Sequence, residues 1–150
     1  MSSLHRSLIP LRWGDLDAFG HLNNVQFFRL MEQARVEWLE ALGEFPPAGM
    51  TPAQSGQTAM PVAARIECNF RQQVLYPGTL QVSLAAGRVG RSSVELRNEI
   101  HSADGTQLLA DGVVVMVWVG VDSGRPVELP PAVRAAVGPP TPAPGAASSG

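Results

Sequence analysis

A chain of 150 residues with a formal charge of −2 and 16% charged residues is one domain of ordinary size, long enough to bury a core without disulfide or metal staples. Its charge balance offers no basic field for a phosphate backbone, which argues against nucleic acid as partner, and no run approaches the ~18 apolar residues that span a bilayer. The single cysteine, Cys68, cannot close an internal disulfide. Together with an N-terminus that lacks an apolar segment and a small-residue cleavage site, it predicts a soluble, cytoplasmic protein with no membrane partner.

A first strand leads into WGDLDAFGHLNNVQFFRLMEQAR, residues 13–35, where two aspartates, a glycine, a histidine and two asparagines crowd the entry to a helix. From Val25 to Leu42, residues placed about 100° apart gather Phe27, Phe28, Leu30, Met31, Ala34, Trp38 and Leu39 on one half of the wheel, with Arg29, Gln33, Glu37 and Glu40 opposite. An apolar arc of roughly 180°, against ~100° for a surface helix, predicts a helix embraced by its surroundings. Asn23 or Asn24 is the expected N-cap and Gly43 the stop. Arg35 falls inside the arc and calls for a partner, which Glu32 supplies at i, i+3; a subunit interface is the expected setting.

Residues 43–58 are dense in Gly and Pro and form a long loop. The run MPVAARIECNF then alternates, with Val62, Ala64, Ile66, Cys68 and Phe70 on one face of a half-buried strand. After the YPG turn, TLQVSLAAGRV sets Leu80, Val82, Leu84 and Ala86 on one face, and SSVELRNEI does the same with Val94, Leu96 and Ile100. The Asp-Gly of SADGT marks a hairpin, so these strands pair antiparallel. The last strand, LLADGVVVMVWVGV, is apolar on both faces from Val113 to Val119, and a partner subunit is the economical cover for its outer side. Residues 138–150 consist of Pro, Gly, Ala, Ser and Thr with nothing to bury, a tail expected to be disordered. The order of elements predicts an α+β domain over residues 1–137, a twisted antiparallel sheet curled around one long helix.

The Asp-x-Asp-x-x-Gly junction before the helix resembles the signature of hotdog-fold thioesterases of the 4-hydroxybenzoyl-CoA thioesterase class. ARIECNFRQQVLYPGTLQV is similar to that family's second and third strands, and GRPVELPPAVRAAV to its C-terminal finish. The resemblance implies a central helix wrapped by a five-stranded antiparallel sheet, subunits joined edge to edge into a ten-stranded sheet, and dimers pairing again into a homotetramer. It also implies hydrolysis of an acyl-CoA thioester, with coenzyme A part of the substrate and no separate cofactor or metal.

Thioester hydrolysis fits the residue types at the junction. The leaving thiolate belongs to a thiol with pKa comparable to a cysteine, about 8.5, so one carboxylate suffices as general base or nucleophile while backbone N–H groups at a helix start hold the oxyanion. By resemblance the carboxylate is Asp17 and the donors lie near Asn24, with Asp15 a structural residue. Read without the resemblance, Asp17 is a loop aspartate making an Asx-turn. Gly20 serves a sharp turn or close substrate approach; His21 is a hydrogen-bonding strut or positions the thioester. Asn23 and Asn24 are caps first. Arg91 and Ser92, in the AGRVGRSSV turn, match the family's nucleotide-touching pattern, or are a solvated hairpin tip. Cys68 reads as a core thiol, and Trp13, Trp38 and Trp118 as core or interface residues. Two other readings stay open at this point, a non-catalytic acyl-thioester-binding subunit and a hydratase of enoyl thioesters using Asp17 and His21.

Overall fold

Alternating apolar residues and tight turns produce a sheet whose two edges are far apart in sequence. The computed structural model describes residues 3–145. Among them β1 (Ser3–Pro10), β2 (Ala59–Phe70), β3 (Thr79–Val89), β4 (Ser93–Ser102) and β5 (Leu108–Gly120) form one antiparallel sheet in the order β1-β3-β4-β5-β2. Helix α1 (Asn24–Ala41) buries Phe27, Leu30, Met31, Ala34, Arg35, Trp38 and Leu39. It touches β1, β3 and β2, and so reaches both edges of the sheet. A sheet that meets one helix with both edges has curled around it, which is the α+β hotdog arrangement implied by the sequence.

The core lies between α1 and the inner faces of the strands, where Val82, Leu84, Val94, Leu96, Val114 and Trp118 are fully or almost fully buried. Helix and sheet approach closely at Gly112, where an added Cβ would stand 2.9 Å from the Met31 methyl and closer still to the Glu67 carbonyl of β2. The Met31 side chain can yield but the β2 backbone cannot, so Gly112→Ala is expected to lower unfolding free energy by about 1–3 kcal/mol, read from the urea midpoint.

Strand β2 departs from its sequence pattern. The pairing with β5 slips between Ala63 and Arg65, leaving Ala64 unopposed. Before this bulge Pro61 and Ala63 oppose the buried Trp118 and Met116, so Val62, opposite Val117, belongs to the outer face; after it Ile66, Cys68 and Phe70 oppose Val114, Gly112 and Ala110 on the inner face. Uninterrupted alternation had put all five apolar residues on one side; one extra residue moves Val62 to the other. Because β2 is an edge strand, Val62, Ile66 and Phe70 keep exposures of 42, 42 and 45%.

On β5, Val114, Met116 and Trp118 face the core while Val113, Val115, Val117 and Val119 are half-buried on the outer face. Among the described residues the end of β5 gains one further backbone partner. Residues 125–127 double back, with Gly120 N–H donating to Arg125 O (2.8 Å), Val127 N–H to Trp118 O (2.9 Å) and a bridge between Val119 and Pro126.

A second helix, α2 (Pro131–Val137), begins with proline at its first position and buries Val133. Its Arg134 guanidinium donates to the carbonyls of Gly90 (2.8 Å), Arg91 (3.2 Å) and Gly138 (3.0 Å), clamping the β3–β4 turn. Just beyond, Thr141 N–H donates to Val89 O (2.8 Å) and its hydroxyl accepts from Val89 N–H (2.9 Å). The segment expected to be a disordered tail thus begins with a fixed point; residues 146–150 of it lie outside the described residues.

Two helix residues assigned to the solvent side by the wheel have partners. Glu37 accepts from the Ser7 hydroxyl, from Gln33 Nε2 (2.9 Å) and from the His5 ring (3.3 Å), tying α1 to β1. Burial raises the Glu37 pKa, but these bonds outweigh it and hold the carboxyl below its ordinary value. Arg29 reaches the corner before α1. Arg35 is buried with Nη2 3.8 Å from Glu32 Oε2, the i, i+3 partner expected. Trp38 and Trp118 are core residues, whereas Trp13 is 76% exposed and outside the core of this chain.

Candidate active site

After β1 the chain must turn a corner before α1 can start, and Asp15 holds that corner. Leu11 N–H is pinned to Gly78 O (2.8 Å), and residues Trp13–Asp15 make a single 3₁₀ turn. The fully buried Asp15 carboxylate accepts at Oδ1 from Arg12 Nε (3.0 Å) and Nη2 (2.7 Å), and at Oδ2 from the Arg12 N–H (2.8 Å) and Arg29 Nη2 (3.1 Å). Its carbonyl takes Asn23 N–H at 2.9 Å, so one residue joins strand end, corner and helix start. Burial pushes this carboxyl up, but the bonds and charges of Arg12 and Arg29 win and hold it below the usual carboxylate range.

Asp17 lies two residues on, in a small loop closed by a bridge between Leu16 and Leu22. Its N–H donates to His21 O (2.8 Å), and its carbonyl accepts from Gly20 N–H (3.1 Å). The turn needs glycine at position 20, where φ is +77°. Asp17 Oδ1 accepts from Phe19 N–H (2.8 Å) and His21 N–H (3.3 Å), the Asx-turn considered for it. Both bonds fall on one oxygen, and Oδ2 has no donor among the described residues.

Asn23 is the N-cap of α1. Its side-chain oxygen accepts from Val25 N–H (3.1 Å) and its carbonyl from Gln26 N–H (2.9 Å). The next amide, that of Asn24, has no hydrogen-bond partner among the described residues, and the helix dipole concentrates partial positive charge behind it.

Asp17 and Asn24 line one cavity of about 310 Å³ together with His21, Gln72 and Gln73. Its apolar wall is Phe19, Leu22, Phe27, Phe70 and Val74. Alternation in the sequence assigned Phe70 to a strand face and did not place it, Gln72, Gln73 or Val74 at this site. They end and follow the far edge strand, and the curling of the sheet carries them to the corner, where Val74 O accepts from Leu22 N–H at 2.8 Å. The two adjacent glutamines in the loop before YPG are the nearest thing to a local signal. Phe19 and Phe27 line the cavity, whereas Phe28 meets Phe70 edge-on and is not part of the lining; the 43–58 loop borders a separate groove of about 690 Å³ with residues 127–131.

Asp17, Gly20, His21, Asn23 and Asn24 are therefore brought together at the corner; Arg91 and Ser92 are not. Pro10 opposes Thr79 at the start of β3, whereas Arg91 and Ser92 lie in the turn past its end. For an 11-residue strand that is a separation on the order of 35 Å at about 3.3 Å per residue. Arg91 is largely exposed and pairs with Glu128 at 3.3 Å. Cys68 is half-buried on the inner face of β2, and burial and Asp111 push its thiol up to about 11, leaving it a poor nucleophile. Among the described residues no three His, Cys, Asp or Glu side chains are grouped to hold a metal ion, and no helix is long and apolar enough to cross a membrane.

Known proteins resemble this chain in sequence or in structure. YsmA, an uncharacterized protein of Bacillus subtilis, is 30% identical over 119 residues, 79% of this chain and 75% of its own length. The PA2801 protein of Pseudomonas aeruginosa, named as a candidate thioesterase, is 34% identical, with 90% of this chain and 98% of that one covered and a TM-score of 0.80. A thioesterase from Thermus thermophilus, solved in complex with coenzyme A and Zn, is 28% identical, with 90% and 92% covered and a TM-score of 0.71. A family model described as the thioesterase-like superfamily matches residues 11–137, and the chain belongs to that superfamily.

Proposed function

We propose that this protein is an acyl-CoA thioesterase in which Asp17 acts on a thioester carbonyl held at the start of α1. The observation that carries the reading is the shared cavity of Asp17 and Asn24, in which a carboxylate with one oxygen fixed by backbone amides and the other unclaimed accompanies an unfilled helix-start amide. The carbonyl oxygen accepts from the Asn24 N–H, a bond that strengthens as negative charge develops there. Asp17 Oδ2 then takes a proton from water as the water oxygen bonds to the carbonyl carbon. Collapse of the tetrahedral oxyanion breaks the C–S bond, and the departing thiolate recovers the proton from Asp17. Direct attack by Oδ2, with water cleaving the resulting anhydride, uses the same geometry. Gly20 and Asn23 shape the loop and the cap, His21 and the two glutamines supply polar contacts, and the apolar wall receives the acyl group.

Coenzyme A as carrier is supported by the relative that binds it. The β2 edge, which has no further strand beside it among the described residues, and the half-exposed outer valines of β5 support a homo-oligomer. Antiparallel pairing of two β2 edges extends five strands to ten and sets the Phe70 end of one beside the Ala59 end of the other, the end where the β3–β4 turn lies. Arg91 and Ser92 then serve the nucleotide at the partner's cavity, and the valine stripe is where two dimers meet to make a tetramer.

One observation also suits a non-catalytic acyl-thioester binder: the Asx-turn of Asp17 is what a purely structural aspartate would form. Incubation with short, long and aromatic acyl-CoAs, followed by a thiol reagent, separates the readings. Release of free coenzyme A thiol is expected with at least one substrate. Tight binding without thiol would identify a binder, and loss of the enoyl absorbance of crotonyl-CoA without thiol a hydratase.

A further inference from the structure

We propose that the ring of Phe70 sets the size of the acyl group, standing as a stop between the Asp17 cavity and the seam where α1 packs against β2; this rests on the acyl-thioester reading of that cavity. An acyl chain whose carbonyl sits at the Asn24 amide runs along the first turn of α1 past Phe27, and Phe70 is the next surface it meets. The Phe70 ring stands edge-on to Phe27 at 5.2 Å and 75°, and to Phe28 at 6.3 Å and 80°. Two aromatic contacts from successive helix residues fix its position across the seam.

What lies behind the ring makes it a stop rather than one more wall residue. On the inner face of the sheet Phe70 opposes Ala110, and the next inward residue of β2, Cys68, opposes Gly112. These are small groups. The space over Gly112 is filled from the helix by the Met31 methyl, the end of an unbranched side chain that can swing aside. The seam beyond Phe70 is thus apolar, lined by small residues and closed by a movable thioether. Phe27 cannot play this part because it is 2% exposed and anchored in the core, and Phe19 is 82% exposed on the opposite loop.

The test uses the full chain and the variants Phe70→Ala, Phe70→Leu and Phe70→Trp. Two profiles are measured against acyl length from acetyl to lauroyl: kcat/KM for the acyl-CoA thioesters, and Kd for the matching non-hydrolysable acyl-CoA thioethers. Phe70→Ala is expected to move both optima to longer chains, raising the long-to-short preference about tenfold or more, and Phe70→Trp to move them to shorter chains. Phe70→Leu keeps an apolar contact with Phe27 and shows a smaller shift in the same direction as Phe70→Ala, which serves if that variant does not fold. Variant profiles that superimpose on the wild type overturn the proposal. A wild type that binds the thioethers but cleaves no thioester refutes the catalytic reading alone, and the Kd profiles then decide whether Phe70 is the stop. A wild type that binds none of the series overturns both.

Discussion

Asp17→Asn is expected to lower kcat for thioester hydrolysis by roughly 10²- to 10⁴-fold, the range general-base catalysis contributes, while the melting temperature and KM stay close to wild type. The side-chain oxygen of asparagine still accepts from the Phe19 and His21 amides, so the Asx-turn and the corner survive. With the oxygen held by those two donors, the substitution replaces the charged Oδ2 by an NH2 group that neither takes a proton from water nor attacks a carbonyl. Asp17→Ala removes the turn bonds as well and should cost about 1 kcal/mol of stability in addition to activity. The pair of variants therefore separates chemistry from scaffolding: a structural aspartate would tolerate Asn in the activity assay and suffer from Ala in the melt. Turnover by Asp17→Asn at the wild-type rate would assign the carboxylate to the turn and leave the reaction to another group.

How much of this was legible in the sequence depends on how far apart the cooperating residues lie. Asp17, Gly20, Asn23 and Asn24 are close neighbours in the chain, and their residue types alone announce a turn, a cap and a carboxylate beside unfilled amides. Helix α1 was legible for the same reason, its apolar arc being a local property. Phe70, Gln72 and Gln73 share the cavity through the closure of the sheet, an event that no local pattern records. Alternation also carries no register. It gave the extent of β2 and missed the bulge at Ala64, because an extra residue leaves the list of apolar positions unchanged while reversing the face that Val62 occupies. The pattern in the β3–β4 turn named Arg91 and Ser92 without an address, and topology places them at the far end of the sheet from Asp17. Helix α2, seven residues long, is too short for periodicity to show, although a proline at its first position is a recognised start signal.

Asp15, two residues from Asp17 and of the same chemistry, is expected to behave in the opposite way: Asp15→Ala should lower unfolding free energy by about 2–3 kcal/mol, since it deletes several charge-assisted bonds of a buried group. The loss stays below that of a fully buried ion pair because the guanidiniums left behind, Arg12 and Arg29, have side-chain exposures of 64 and 30% and regain water. The pH dependence has a definite sign. The Asp15 carboxyl is held below its unfolded value of 3.8, so its contribution is complete above that pH and is lost as pH falls through the lower, folded value. The difference in urea midpoint between wild type and Asp15→Ala should therefore be constant at neutral pH and shrink at acid pH, and a difference that grows on acidification would contradict the assignment. Activity follows because the Asp15 carboxylate ties Arg12 at the strand end to Arg29 of α1, a tie the alanine variant loses although its backbone carbonyl still accepts from Asn23 N–H. Once the corner loosens, the Asn24 amide and Asp17 no longer keep a fixed separation. Fully folded Asp15→Ala, assayed well below its melting temperature, should show reduced kcat with its dependence on Asp17 intact, whereas Asp17→Asn should show the catalytic loss with the wild-type urea midpoint.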